Sequence, residues 1–413
     1  MIEPRLRFKA FSDELSHHTL MDIIVEKPSN GIMNRQSDKV TAVKHINVID
    51  MYTDDKIHVD ELSYSEYGDT AVEKCNVEIG DIFLTRSSVK ADGIAKSNIL
   101  LDDGIYVYDD HLIRLKVDKN NYIPEFVNDY LASPRFRRQF IVRAKTTAFT
   151  TIGQSDVASC TGDFPSLAEQ QKIAEFLLTI DTVIAKQKET VSAWEERKKG
   201  VMQKLFSQEV RFKADDGSEF PEWEGKKISE CTKFVKDGTH GTHKNVSNGH
   251  PLLSAKDIFD NIVHIPNDSR LISDEDYNKI FSKYDLQDGD VLITIVGTLG
   301  RTALVTDTCK HVAFQRSVGI MRPDKSIVDS NYLKAVCDVA QFQNELEIKK
   351  NKGAQAGVYL GVLSGIEISV PCLAEQQKIA DCLSSFDEVI EKQKATLSAW
   401  EELKKGLLQQ MFV

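Results

Sequence analysis

The side chains best suited to chemistry are spread along this chain rather than gathered. His240 and His243 form an HxxH spacing with His250 nearby. They sit in a Gly- and Asn-rich stretch with no partnered cysteine, which reads as a polar loop rather than a zinc set. Gly297-Thr298-Leu299-Gly300-Arg301 puts two glycines after an apolar run. That spacing can bring backbone amides to a phosphate, but as an isolated feature it reads as a tight turn. Glu196 and Lys198 make an ExK pair, yet in the middle of a helix-forming segment and without the preceding Pro-Asp strand that metal-dependent nucleases use. No GxxxxGK[ST] loop, HExxH helix, GxSxG elbow or glycine-rich dinucleotide turn is present. The seven cysteines (Cys75, Cys160, Cys231, Cys309, Cys337, Cys372 and Cys382) never form a CxxC pair, which argues against a disulfide framework and a zinc ribbon. The sequence therefore offers no catalytic residue and no metal site, and binding is the remaining function.

Two domains are expected of 413 residues, because single cores stop growing at about 250–300 residues. An apolar fraction of 41% with 28% charged residues is ordinary for a globular protein. No stretch of 18 apolar residues exists to span a bilayer. The opening MIEPRLRFKAFSDEL is charged where an export signal needs apolar residues, so a reducing cytoplasm is expected. The net charge of −11 opposes contact with phosphates, but the charge is uneven. Residues 38–81 hold eleven acidic and four basic groups, whereas Arg135 to Lys145 holds five basic and none acidic. Lys349, Lys350 and Lys352 form a smaller basic group in the second half. A local basic surface on an acidic body is the form that DNA contact would take here.

The elements that must position any binding residue come in duplicate. Leu167 to Phe206 aligns without a gap to Leu373 to Phe412, with 26 of 40 positions identical. RFKA at Arg7 to Ala10 returns at Arg211 to Ala214, and GDIFLT from Gly80 is echoed by GDVLIT from Gly289. The unit of repetition is about 206 residues, and between the echoes the halves agree only in islands. The repeated segments are expected to do one job twice, and the divergent parts two different jobs.

Each repeated segment predicts a helix: it lacks Pro, is rich in Ala, Glu, Gln, Lys and Leu, and follows Pro165 or Pro371. Apolar positions step by four and three through Ile173, Leu177, Ile180, Ile184, Gln187, Val191, Trp194, Lys198, Val201 and Leu205. The second copy runs Ile379, Leu383, Phe386, Ile390, Gln393, Leu397, Trp400, Lys404, Leu407 and Met411. A 3.5-residue period marks a helix packed on another helix along one seam, with Ile184, Val191, Trp194, Val201, Ile390, Leu397, Trp400 and Leu407 as its centre. Connectivity makes the pair antiparallel, and forty residues span roughly 60 Å. The expected fold is two mixed α/β (α+β) domains separated by long antiparallel coiled-coil helices, with pseudo-two-fold repetition. Its parts are domain 1–166, helix 167–206, domain 207–372 and helix 373–413. Strands are expected at Ile82 to Thr85, Val291 to Val296 and Ile366 to Val370, and helices at Phe126 to Ala132 and Tyr332 to Ala340.

These features resemble the specificity subunits of type I restriction-modification systems over essentially the whole chain. Pro165-Ser166-Leu167-Ala168-Glu169-Gln170 and Pro371-Cys372-Leu373-Ala374-Glu375-Gln376 match the P-x-L-x-E-Q opening of that family's conserved helices. Asp237 to Thr242 (DGTHGT) and the block Gly289 to Arg301 look like segments of its target-recognition domains. The first half lacks DGTHGT and has Thr85-Arg86-Ser87-Ser88 in place of the glycine turn. The resemblance implies a non-catalytic subunit in which each domain reads half of a split, asymmetric site in double-stranded DNA. It further implies two methyltransferase subunits, one docked on each helical repeat, with motor-nuclease subunits joining. S-adenosylmethionine, ATP and magnesium would belong to those partners, and this chain would bind no cofactor. Base reading needs Arg, Lys, Asn, Gln or hydroxyl side chains on loops. Arg86, Ser87, Lys90 and Lys145 are the candidates in the first domain; Thr239, His240, Thr298, Arg301 and Lys352 are those in the second. The alternative is a two-headed protein-interaction scaffold without sequence-selective DNA binding.

Overall fold

The apolar runs that follow each Gly-Asp pair, Ile82–Thr85 and Val291–Thr294, are strands with every residue buried, as strands covered on both faces must be. The second ends two residues short of the expected Val296, where the chain turns into the glycine hairpin. In the computed structural model, which describes residues 4–53, 55–351 and 357–412, each strand lies inside a four-stranded antiparallel sheet. In the first half the order is Ser29–Asn30, Leu112–Leu115, Ile82–Thr85, Ser97–Ile99. In the second it is Thr232–Asp237, Val318–Pro323, Val291–Thr294, Thr302–Leu304. A further layer contains one parallel pair in each half, Val43–Ile46 with Ile105–Tyr108 and His250–Leu253 with Ala313–Phe314. The fold is mixed α/β.

The Gly-Asp echo has a structural cause. Gly80 (φ +88°) and Gly289 (φ +84°) occupy the left-handed region at the turn into the strand, where a side chain would be strained. The following Asp81 and Asp290 are fully buried. Each accepts the amide of the residue three earlier, Glu78 at 3.0 Å and Gln287 at 2.9 Å. Each also faces an arginine from the neighbouring strand, Arg114 at 3.4 Å and Arg322 at 2.8 Å. Burial pushes the Asp81 carboxyl up to about 6.

The principal helices pair up between the halves. In the first half, α1 spans Pro124–Ala132, α2 spans Pro134–Arg143 and α3 spans Leu167–Phe206. In the second, α4 spans Ser330–Asp338, α5 spans Ala340–Lys349 and α6 spans Leu373–Met411. Helix α1 starts earlier than expected because Pro124, at its first position, has no amide to leave unsatisfied. Helix α4 stops at Asp338 because Val339 turns extended (ψ 141°), and Ala340 begins a new helix. The closing strand starts at Glu367 rather than Ile366.

The chain forms two compact units, Met1–Glu189 with Lys394–Val413 and Thr190–Gln393. Each therefore contains a stretch of both long helices. Within the first unit, Lys404 meets Asp181 at 2.5 Å and Lys188 meets Glu401 at 3.7 Å, so the α3 and α6 stretches run in opposite directions. In the second unit Lys198 meets Asp387 at 2.5 Å and Trp194 packs edge-on to Phe386. Of the seam series, Ile184, Val191, Ile390 and Leu407 are buried, and Trp194, Val201, Leu397 and Trp400 are half-buried. The two seam lysines bury their stems and each ends on an aspartate of the facing helix, the arrangement that long amphipathic side chains favour.

The remaining echoes meet one another. Arg7 of the first RFKA binds Glu169 through both carboxylate oxygens, at 2.8 and 2.7 Å. Arg211 of the second binds Glu375 in the same way, at 3.1 and 2.8 Å. Glu169 and Glu375 are almost wholly buried, and the bidentate fork satisfies both oxygens of each. The adjacent Gln170 accepts the Ile123 amide and donates to the Pro165 carbonyl; Gln376 does the same with Asp329 and Pro371. Each glutamine thereby ties the start of a long helix to the loop before α1 or α4. The far helix ends close the other side: Phe412 stacks on Tyr130 with ring centres 4.9 Å apart, and Phe206 lies 5.6 Å from Tyr332.

Candidate nucleic-acid interface

The site is built from the loops at one end of each buried strand. In the second unit, Thr239 donates its amide to Phe314 O (2.7 Å), Gln315 to Leu253 O (2.8 Å), Ile295 to Ser317 O (2.9 Å) and Val358 to Ile295 O (2.8 Å). In the first unit, the same network runs Ile32 to Tyr108 O, Asp109 to Ile46 O, Arg86 to His111 O and Ile152 to Arg86 O, at 2.8–3.0 Å. These bonds set a residue-by-residue equivalence: Arg86 with Ile295, Ser87 with Val296, Asp110 with Arg316, and Lys145 with Asn351. The backbones are one design. The side chains they present are not.

In the first unit, Ser87–Ser88, Thr150–Thr151 and Lys145–Thr146 form a small three-stranded sheet. It brings Arg86, Ser87 and Lys145 together; Lys90 follows on the loop beyond, exposed, its amide bonded to the Ser88 hydroxyl at 3.3 Å. Arg86 and Lys145 are exposed, and Ser87 lies 3.3 Å from His111. The basic run on α2 is mostly committed elsewhere. Arg135 pairs with Asp163, Arg137 caps the carbonyls of Ile94, Ala95 and Asp92, and Arg143 reaches Ser159. Burial lowers the Arg137 guanidinium below its usual range. Of the basic group in the second half, Lys349 and Lys350 are paired with Glu345 and Glu347 on α5.

In the second unit, Asp237, His240, Ile295, Val296, Arg316 and Asn351 contribute to a cleft of about 490 Å³. His240 is exposed and bonds Asp237 at 2.6 Å, while Thr239 bonds His243 at 2.8 Å. The two histidines of the HxxH spacing thus serve separate partners. Gly238 is required where it stands, since a Cβ there would lie 2.0 Å from the Phe314 carbonyl oxygen. Thr298 is exposed at the tip of the glycine hairpin. Arg301 is exposed at its base, with one guanidinium nitrogen 3.4 Å from the Ile258 carbonyl. Gly300 packs beneath α5, where Gln343 donates to its carbonyl at 2.8 Å, so that hairpin is a clamped turn. Lys352 lies outside the described residues.

Two features escaped sequence reading. Asn30-Gly31 is the first unit's version of Asp237-Gly238, since a Cβ on Gly31 would meet the Tyr108 carbonyl at 1.9 Å just as one on Gly238 meets Phe314. Its only signal is a lone Asn-Gly pair, a combination common to turns of every kind. The loop carrying Asp110 or Arg316 was missed outright, because it joins two short strands that no periodicity marks. Asp109, Asp110 and His111 offer ligand atoms within 4.8 Å of one another. Asp109 already accepts the His111 amide at 2.8 Å, which makes the group a turn rather than a metal centre.

Two variants of one mixed α/β fold, with duplicated long helices, define a class of tandem-repeat proteins. Residues 221–399 match the family profile described as the type I restriction modification DNA specificity domain. The type I restriction enzyme MjaVIII specificity subunit of Methanocaldococcus jannaschii is 27% identical over 261 residues, 59% of this chain and 59% of that protein's length. The putative type I restriction enzyme MjaX specificity subunit of the same organism is 24% identical over 400 residues, 93% of this chain and 90% of that one. Among solved structures, the type I restriction-modification S subunit from M. genitalium superposes with a TM-score of 0.55 at 13% identity, covering 100% of this chain and 99% of that chain. A chain from a study of complex assembly and conformational transition in the type I R-M system gives 0.53 at 16% identity, covering 96% and 97%. Over residues 221–399, and more weakly over most of its length, the chain is similar to type I restriction-modification specificity subunits.

Proposed function

We propose that this chain is the DNA specificity subunit of a type I restriction-modification complex, reading a bipartite, asymmetric site and contributing recognition rather than catalysis. Residues 1–166 and 207–372 act as the two target-recognition domains. The helices 167–206 and 373–413 act as an antiparallel coiled-coil spacer that sets the distance between half-sites. The observation that carries this reading is the pairing of identical backbone networks with different side chains at the same places. Arg86, Asp110 and Lys145 in one unit stand where Ile295, Arg316 and Asn351 stand in the other. Conserved geometry with exchanged polar groups is what two readers of two sequences require.

The matched outer faces of the helices suit two copies of one methyltransferase subunit, with motor-nuclease subunits completing the assembly. S-adenosylmethionine, ATP and magnesium are then used by those partners. Charge supplied by partners also offsets the net −11 of this chain. Co-expression with the cognate methyltransferase subunits followed by methylation mapping tests the reading. A single split motif is expected, and an intact complex that methylates no defined motif refutes it. Replacing residues 1–166 by another recognition domain is expected to change one half of the motif only; loss of both halves contradicts independent heads.

A further inference from the structure

We infer that Arg316 is the side chain with which the second unit reads a guanine, and this deepens, and rests on, the DNA-recognition reading above. Its backbone is pinned on every side. The Arg316 amide donates to Thr239 O at 3.0 Å, Gln315 to Leu253 O at 2.8 Å, and Val318 to Gln315 O at 3.0 Å. The loop sits flush on the Asp237-Gly238 strand end, which only glycine permits. Its side chain is exposed and, among the described residues, meets no carboxylate within ion-pair distance. The unit's other buried-strand and helix-start arginines are committed: Arg322 to Asp290 and Asp285, and Arg211 to Glu375. A rigid backbone carrying an uncommitted guanidinium is a preorganised donor fork.

The surroundings favour a base over a phosphate. Asp237 and His240 line the same cleft, with Asn351 and the exposed ring of Tyr359. A phosphate bound at Arg316 would share that cleft with the Asp237 carboxylate, which His240 bonds at 2.6 Å. A guanine–cytosine pair instead presents O6 and N7 as acceptors to the guanidinium and the cytosine N4 amino group as a donor to the acid. Arg316 and Asp237 together match both edges of that pair. In the first unit the equivalent positions are Asp110 and Asn30, a set that suits a different base pair.

The test uses the full chain in its complex with methyltransferase subunits, carrying Arg316→Lys or Arg316→Ala. Binding and methylation are measured on duplexes bearing each base at every position of the mapped motif, over a range of salt. Expected for both variants is relaxation at one guanine of one half-site, with discrimination there falling roughly 5- to 150-fold. The other half-site and the salt dependence of the Lys variant should be unchanged. Arg316→Lys keeps the charge and loses the fork. Full retention of the motif by it, with uniform weakening and a shallower salt slope in Arg316→Ala, would mean a phosphate contact and overturn the proposal. An unchanged motif in both variants overturns it as well. Failure of the broader reading looks different, because the wild-type complex would then yield no motif at all.

Discussion

The two units solve the same packing problem and diverge at the same spot. In both, an arginine from RFKA closes a bidentate pair on the buried glutamate of the long helix, and a Gly-Asp turn aims a buried strand at the loops. The turn beyond that strand is where they part. In the second unit it is a short hairpin from Thr294 to Thr302, clamped under Gln343. In the first it runs from Thr85 to Ser97 through a longer loop that carries Lys90. The lesson is that buried, charge-satisfied parts tolerate no drift, whereas loops fixed only through backbone bonds accept any side chain that does not clash.

The largest expected effect separates the two glutamates. Arg7→Ala leaves buried Glu169 without its fork and should destabilise the first unit by about 3–5 kcal/mol. Arg211→Ala should cost roughly 1 kcal/mol less, because Trp223 still donates to Glu375 at 2.9 Å. Chemical denaturation resolved by unit checks the order, and equal losses would remove the distinction. Next in size is Asp110→Ala in the assembled complex. It should relax one position of the half-site opposite to the one governed by Arg316, by about 1–3 kcal/mol, read by methylation of base-substituted duplexes.

A third contrast depends on pH. Burial, with Asp181 and Glu125 nearby and Lys404 opposing, pushes half-buried Asp129 on α1 up to about 7. Its counterpart on α4 is Ala335, which does not titrate. A carboxyl raised above its unfolded value of about 3.9 favours the folded state while protonated. The first unit should therefore lose stability as pH rises from about 4 to about 7, and stay level above. Asp129→Asn should flatten that slope and raise the midpoint of thermal unfolding at pH 8 but not at pH 4; a slope kept by the variant assigns the effect elsewhere. The smallest effect belongs to the seam. Lys198→Met removes a partly exposed pair with Asp387, worth about 1 kcal/mol or less, and thermal unfolding should barely separate it from the parent.

Repetition makes much of the fold legible in the sequence. Long helices announce themselves by period, and the duplicated RFKA, Gly-Asp and P-x-L-x-E-Q islands mark the residues that matter. What no periodicity conveys is that the islands touch: Arg7 and Glu169 lie 162 positions apart, and only a folded chain brings such charges together. The candidate site was half visible. Arg86, Ser87 and Lys145 were marked as candidates because loop position and side-chain chemistry agree. Arg316 and Asp110 were not, since the strands flanking them, Ala313–Phe314 and Ile105–Tyr108, are too short to mark a loop. The basic run of α2 misled for the opposite reason: its arginines mostly answer local carbonyls and acids.

Phe412 stacked on Tyr130 has a consequence for how the chain is made. The first unit draws Leu407, Met411 and Phe412 into its core, so the half synthesised first cannot close until that stretch of α6 has left the ribosome. Until then the aromatic bed around Phe126 and Tyr130 stands open while the second unit, continuous from Thr190 to Gln393, is already complete in sequence. The unit begun first is thus sealed second, and a chain cut before Leu407 would hold one closed unit and one open.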